Sequence, residues 1–125
     1  MKKKIFISSS ILLSVLLLIM VSCEKQTEPK TVVYEITRSV SSFNVNYLDA
    51  KGQLVKETVH VNSAEDIWRY SFQSLPRKVV HVSANYKDIN SAINVRILID
   101  GKVYKQASTK YDTTMYVTVS GTVPD

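Results

Sequence analysis

Ile93-Asn94-Val95-Arg96-Ile97-Leu98-Ile99-Asp100-Gly101-Lys102-Val103 is the stretch whose reading decides the fold class. Ile93, Val95, Ile97 and Ile99 occupy every second position, with Asn94 and Arg96 between them. Residues two apart share a face on a strand but not on a helix, so this alternation specifies a strand with one dry and one wet face. Asp100-Gly101 follows directly. Both residue types tolerate positive φ, and such a pair after an alternating run signals a tight hairpin. The chain then returns through a more weakly patterned strand over Val103 to Ser108.

Working outward, the same period recurs. Val32, Tyr34 and Ile36 share one face, and so do Phe43, Val45 and Tyr47, with Asn44 and Asn46 opposite. Val55, Val59 and Val61 alternate with Lys56, Thr58 and His60. Trp68, Tyr70 and Phe72 alternate with Arg69 and Ser71; Val80, Val82, Ala84 and Tyr86 alternate with His81, Ser83 and Asn85. Met115, Val117 and Val119 alternate with Tyr116 and Thr118. Asp49-Ala50-Lys51-Gly52, Pro76 and Lys87 to Asn90 supply turn chemistry between runs. No amphipathic helix pattern occurs after Thr31. The expectation is an all-β, antiparallel β-sandwich of about seven to eight strands over residues 31–125. Trp68, Tyr70 and Phe72 are expected to anchor its core, because large aromatics dominate buried area in small domains. The alternative for them is an exposed ligand platform. Tyr104, Tyr111 and Tyr116 are left open between ordinary exposure and a binding cluster.

The first 22 residues read differently. Lys2, Lys3 and Lys4 precede an apolar stretch from Ile5 to Val21, densest from Ile11. That is the length of a signal-peptide hydrophobic region: at ~1.5 Å per residue it reaches roughly 25 Å, short of a ~30 Å hydrocarbon core. The chain has one cysteine, Cys23, so it has no internal disulfide. Met20-Val21-Ser22-Cys23 resembles the bacterial lipobox, an apolar residue three before the cysteine and a small residue just before it. That resemblance implies removal of residues 1–22 and diacylglycerol attachment to Cys23. Residues 23–30 then form a lipidated cysteine and polar tether (Glu24 to Lys30), which fully extended spans roughly 23 Å.

Charge and chemistry exclude several classes. With Lys2, Lys3 and Lys4 removed, 13 of the 16 Lys and Arg face 11 Asp and Glu, a formal +2 without blocks, so no nucleic-acid footprint exists. His60 and His81 lie on different strands, and no metal-ligand spacing accompanies them. Glu65-Asp66 are neighbours, which on a strand point to opposite faces and make a poor acid–base pair. No Ser sits in a nucleophile-elbow pattern, and the three glycines build no phosphate loop. The expectation is a non-enzymatic protein without cofactor or metal. Asp112-Thr113-Thr114 matches a short O-glycosylation acceptor pattern of exported Bacteroidota proteins, with Thr113 as acceptor; a plain turn is the competing reading.

Two resemblances add to this. The Ser22-Cys23-Glu24-Lys25 junction, at which the mature chain would start, is similar to that of small lipoproteins of Bacteroidota. The domain resembles the MmpS-type sandwich, a small immunoglobulin-like fold. The likeness is carried by Val32-Val33-Tyr34-Glu35-Ile36-Thr37, Val45-Asn46-Tyr47, Trp68-Arg69-Tyr70, the stretch from Val95 to Val103, and Val117-Thr118-Val119-Ser120-Gly121. It implies an accessory partner of an RND-type exporter, held in the membrane by an N-terminal helix. The chain departs from it by carrying a lipobox and by lacking the cysteines of several mycobacterial members. No functional residue is carried over. Two readings follow: an envelope interaction module, anchored by lipid at the outer membrane with its face unresolved, or a surface lipoprotein that binds a glycan or peptide. For the first, the Lys102–Lys110 strand is a candidate edge for a protein partner.

Overall fold

The computed structural model describes residues 28–110 and 116–125. The expected signal peptide at 1–22, Cys23, Tyr111, Thr113 and Met115 lie outside the described residues. Eight strands follow in order: β1 (Lys30–Thr37), β2 (Phe43–Leu48), β3 (Leu54–Val59), β4 (Trp68–Ser74), β5 (Val79–Tyr86), β6 (Ala92–Ile99), β7 (Lys102–Lys110) and β8 (Tyr116–Thr122). They form two four-stranded antiparallel sheets, β4-β1-β6-β7 and β3-β2-β5-β8, packed as a sandwich. The all-β expectation and the strand count hold.

Local chemistry sets the turns. Asp100 and Gly101 both take positive φ, 50° and 80°, which gives the two-residue hairpin its twist. Asp100 Oδ1 also accepts the Thr31 N–H at 2.9 Å, tying the β6–β7 turn to the start of β1. In the β2–β3 turn, Asp49 Oδ1 accepts the N–H groups of Lys51 and Gln53, and Gly52 takes φ 76°.

The core lies between the sheets. Val32, Tyr34 and Ile36 of β1 and Ile93, Val95 and Ile97 of β6 face Phe43, Val45 and Tyr47 of β2 and Val80, Val82 and Ala84 of β5, all buried. Val117 and Val119 of β8 complete it. These are the alternating residues of the central strands, where both neighbours are strands and the inner face is fully covered. Tyr34 crosses the whole layer. Its hydroxyl donates to the Leu48 carbonyl at 2.8 Å and accepts the His81 N–H at 3.2 Å, both on the opposite sheet. Burial pushes its phenol up to about 12.

Trp68, Tyr70 and Phe72 point inward, but from β4, an edge strand. They are half-buried and pack against the core cluster from its side. The fully enclosed aromatics are Tyr34, Phe43, Tyr47 and Tyr86. Alternation identifies the inner face of a strand, whereas the position of that strand in its sheet decides how much water that face keeps.

Candidate interaction surfaces

The sandwich has two flanks of different construction. On one, the edge strands β7 and β8 meet. A register shift between Ile97 and Leu98 places a bulge in β7. There the Tyr104 ring lies against Gly121 of β8, where an added Cβ would stand 3.1 Å from the ring. Lys105 folds beside it, its Nζ 5.6 Å from the Tyr104 ring centroid. The bulge and the lysines are devices that blunt an edge. The Lys102–Lys110 strand is thus an edge, as expected, but a guarded one.

On the other flank, β4 faces β3 across an aromatic cluster. Tyr47 stands 5.3 Å from Trp68 and 4.6 Å from Tyr70; Tyr34 stands 6.2 Å from Tyr70 and 5.2 Å from Phe72, centroid to centroid. The Trp68 indole donates to Glu57 of β3 at 2.7 Å, and this bond joins the two edges.

On the outer face of the β4-β1-β6-β7 sheet, Glu35 breaks the rule that outward residues are wet. Glu35 of β1 lies opposite Arg69 of β4 and Arg96 of β6 in register. Both arginines bond its carboxylate, each through Nε at 2.9 Å, and Arg96 adds a second contact. The Glu35 side chain is only 4% exposed, against 60% for Arg69. Burial opposes its charge, but the hydrogen bonds from Arg96 and Arg69 prevail and hold the carboxyl below its ordinary range. Sequence reading gave no hint of this triad, because its members are 34 and 61 residues apart. Only strand order brings them together.

The remaining sequence candidates are dispersed. His60 is exposed and its Nδ1 lies 2.9 Å from the Ser42 hydroxyl. His81 sits on β5, on the outer face of the other sheet. Asp66 accepts the N–H groups of Asn62 and Ser63 and closes the β3–β4 loop, while Glu65 points to solvent. Among the described residues no three His, Cys, Asp or Glu side chains converge on a metal position. Tyr104 and Tyr116 stand at opposite ends of the β7–β8 flank, and Tyr116 is exposed.

The outer face of β2, β5 and β8 is polar, with Asn44, Asn46, Ser83, Asn85, Thr118 and Ser120. A groove of about 630 Å³ opens beside it, between Ser41, Asn44, Thr58, Asn85 and Lys87. Its aromatic lining, Phe43 and Tyr86, is buried in the core, so no exposed ring is offered to a glycan there.

The two ends of the sandwich also differ. β1 begins at one end, beside the 49–53, 75–78 and 100–101 turns. The opposite end carries the β1–β2 and β5–β6 loops, joined where the Val40 N–H donates to Ser91 Oγ at 3.2 Å. Val40 and Ile89 are exposed there.

No curated protein matches the chain. The family model described as Mycobacterium membrane protein, that of the MmpS proteins, matches residues 10–122. Because this span takes in most of the N-terminal apolar stretch and all eight strands, the chain belongs to the MmpS family of membrane-associated proteins.

Proposed function

We propose that the protein is a membrane-anchored, non-enzymatic accessory module of an envelope transport system, with an RND-type transporter as its protein partner. The family match carries this reading. It spans part of the apolar N-terminal stretch and the sandwich in one match, the plan of a tethered accessory domain. In our reading the anchor is a lipid on Cys23. Acyl burial contributes about 0.8 kcal/mol per CH₂, so two or three chains hold a small domain firmly. The tether delivers the chain to β1, which puts the Val40–Ile89 end farthest from the membrane and presents its apolar side chains to a partner.

Two measurements test this. Cys23→Ala is expected to leave an unprocessed precursor; lipidation of that variant, or a freely soluble wild type after export, would overturn the lipid anchor. A photo-crosslinking residue at Ile89 in the full chain, in its native envelope, is expected to capture a transporter subunit, while one at Lys51 near the tether captures none. Capture from neither position, with turnover of an envelope substrate by the purified protein, would overturn the module reading.

A further inference from the structure

We infer that the free edge of β4 pairs with β4 of a second copy of this chain, in antiparallel register about Ser71, to make one continuous eight-stranded sheet. Three observations lead there, and none depends on a transporter partner.

The first is that β4 is unguarded. It runs seven residues, Trp68-Arg69-Tyr70-Ser71-Phe72-Gln73-Ser74, in unbroken register with β1. It contains no Pro, no Lys and no bulge, whereas β7 carries a bulge and lysines and β3 carries Lys56 and Glu57. Its one charged side chain, Arg69, is tied to Glu35 of β1 and stays 60% exposed on the outer face. An edge of unpaired N–H and C=O groups without such devices is a template for another strand.

The second is that apolar exposure brackets the strand. Ile67 and Leu75, the residues just outside its two ends, are 51% and 46% exposed.

The third is that the strand is self-complementary, which selects a second copy as the occupant. A two-fold axis through Ser71, perpendicular to the sheet, keeps inner and outer faces in place. It sets Ile67 opposite the other copy's Leu75, Tyr70 opposite Phe72, and Arg69 opposite Gln73. Each exposed apolar residue meets an apolar residue, the aromatics form a cross-strand pair, and no like charges oppose. Cross-strand pairs of these kinds are the unit of sheet stabilisation. The isologous pattern, in which residue i meets j and j meets i, is the requirement of a closed dimer.

Gln73 provides the test, because it is exposed and faces a cation only in the dimer. The full chain in detergent micelles is studied by analytical ultracentrifugation as wild type, Gln73→Lys and Gln73→Glu. The wild type is expected to show a concentration-dependent monomer–dimer equilibrium. Gln73→Lys should weaken it and Gln73→Glu strengthen it, each by several-fold to about tenfold, since each substitution acts twice across the axis. A general effect on folding would not change sign between the two. Ser71→Cys in a Cys23→Ala background should form an intermolecular disulfide on mild oxidation, because directly opposed residues of antiparallel strands lie about 4.5–5.5 Å apart, within disulfide reach. Gln106→Cys, on β7, should not. A monomeric wild type, Gln73 variants that shift dimerisation in the same direction or leave it unchanged, or crosslinking through residue 106 in preference to 71 would each overturn the proposal.

Discussion

The two flanks of the sandwich solve the same problem in different ways. Each is a place where two sheets end and four-stranded pairing stops. At β7–β8 the sheets lean together: a bulge turns Tyr104 onto Gly121, and lysines line the outer strand. At β3–β4 the gap is filled by rings, with Tyr47, Tyr70 and Phe72 grouped around Tyr34, Trp68 against Tyr47, and a bond from Trp68 to Glu57 across the opening. The first arrangement closes an edge. The second covers the core but leaves the backbone edge of β4 available. Shielding a core and protecting a strand edge are therefore separate tasks, met here by separate residues.

This contrast can be tested by substitution. The largest effect is expected at Tyr34, which keys the aromatic flank to the core. Tyr34→Ala should cost ~3–5 kcal/mol in a denaturant melt, the range for deleting a buried aromatic. A cost below that of Trp68→Ala would mean that the flank, and not the layer beneath it, holds the sheets together. Tyr34 also sets an alkaline limit. Its folded pKa of about 12 lies above the ordinary 10, so the folded state favours the neutral phenol. That contribution is complete below pH 10 and is lost as pH rises toward 12, by roughly 2–3 kcal/mol. Tyr34→Phe should start lower, having lost its two cross-sheet hydrogen bonds, and should lack this part of the alkaline fall.

Trp68→Ala should cost roughly 2 kcal/mol, because the indole packs against the core from an edge strand and is only partly enclosed. A fully enclosed Trp68, as its alternation suggested, would have cost as much as Tyr34. Glu35 sharpens the acid side. Its folded pKa is lowered, so the stability it brings is present above the unfolded value and lost as pH falls through the folded one. Melting temperature should decline below about pH 4.5, and Glu35→Gln should flatten that decline. The smallest effect belongs to the closed flank. Gly121→Ala pushes against the partly buried Tyr104 ring and the Lys105 stem, which must give by a few tenths of an ångström, and should cost about 1 kcal/mol.

Much of this architecture was legible in the sequence, for physical reasons. Period-two alternation located seven of the eight strands, with β7 the weaker one that follows the hairpin, and Asp100-Gly101 gave the hairpin its position because few residue pairs accept positive φ twice in succession. Sheet order was not legible. Alternation is the same on an edge strand and a central one, so Trp68, Tyr70 and Phe72 read as strongly as Ile93, Val95 and Ile97 although they retain more water. Glu35 was not legible as a buried ion-pair centre, since nothing local marks a carboxylate that two distant arginines will enclose. The Lys102–Lys110 edge was recognisable from its weak apolar pattern and its lysines, the features that guard it. The unguarded edge carried the stronger aromatic pattern and read as core.

Amide hydrogen exchange, followed by mass spectrometry on the full chain across a dilution series, tests the difference between the flanks most directly. Exchange at edge amides reports whether their outward N–H groups are paired. The account predicts that amides within Trp68–Ser74 are protected at high protein concentration and lose that protection on dilution, while those within Lys102–Lys110 exchange at the same rate throughout. Concentration-dependent protection in β7 with none in β4 would contradict it.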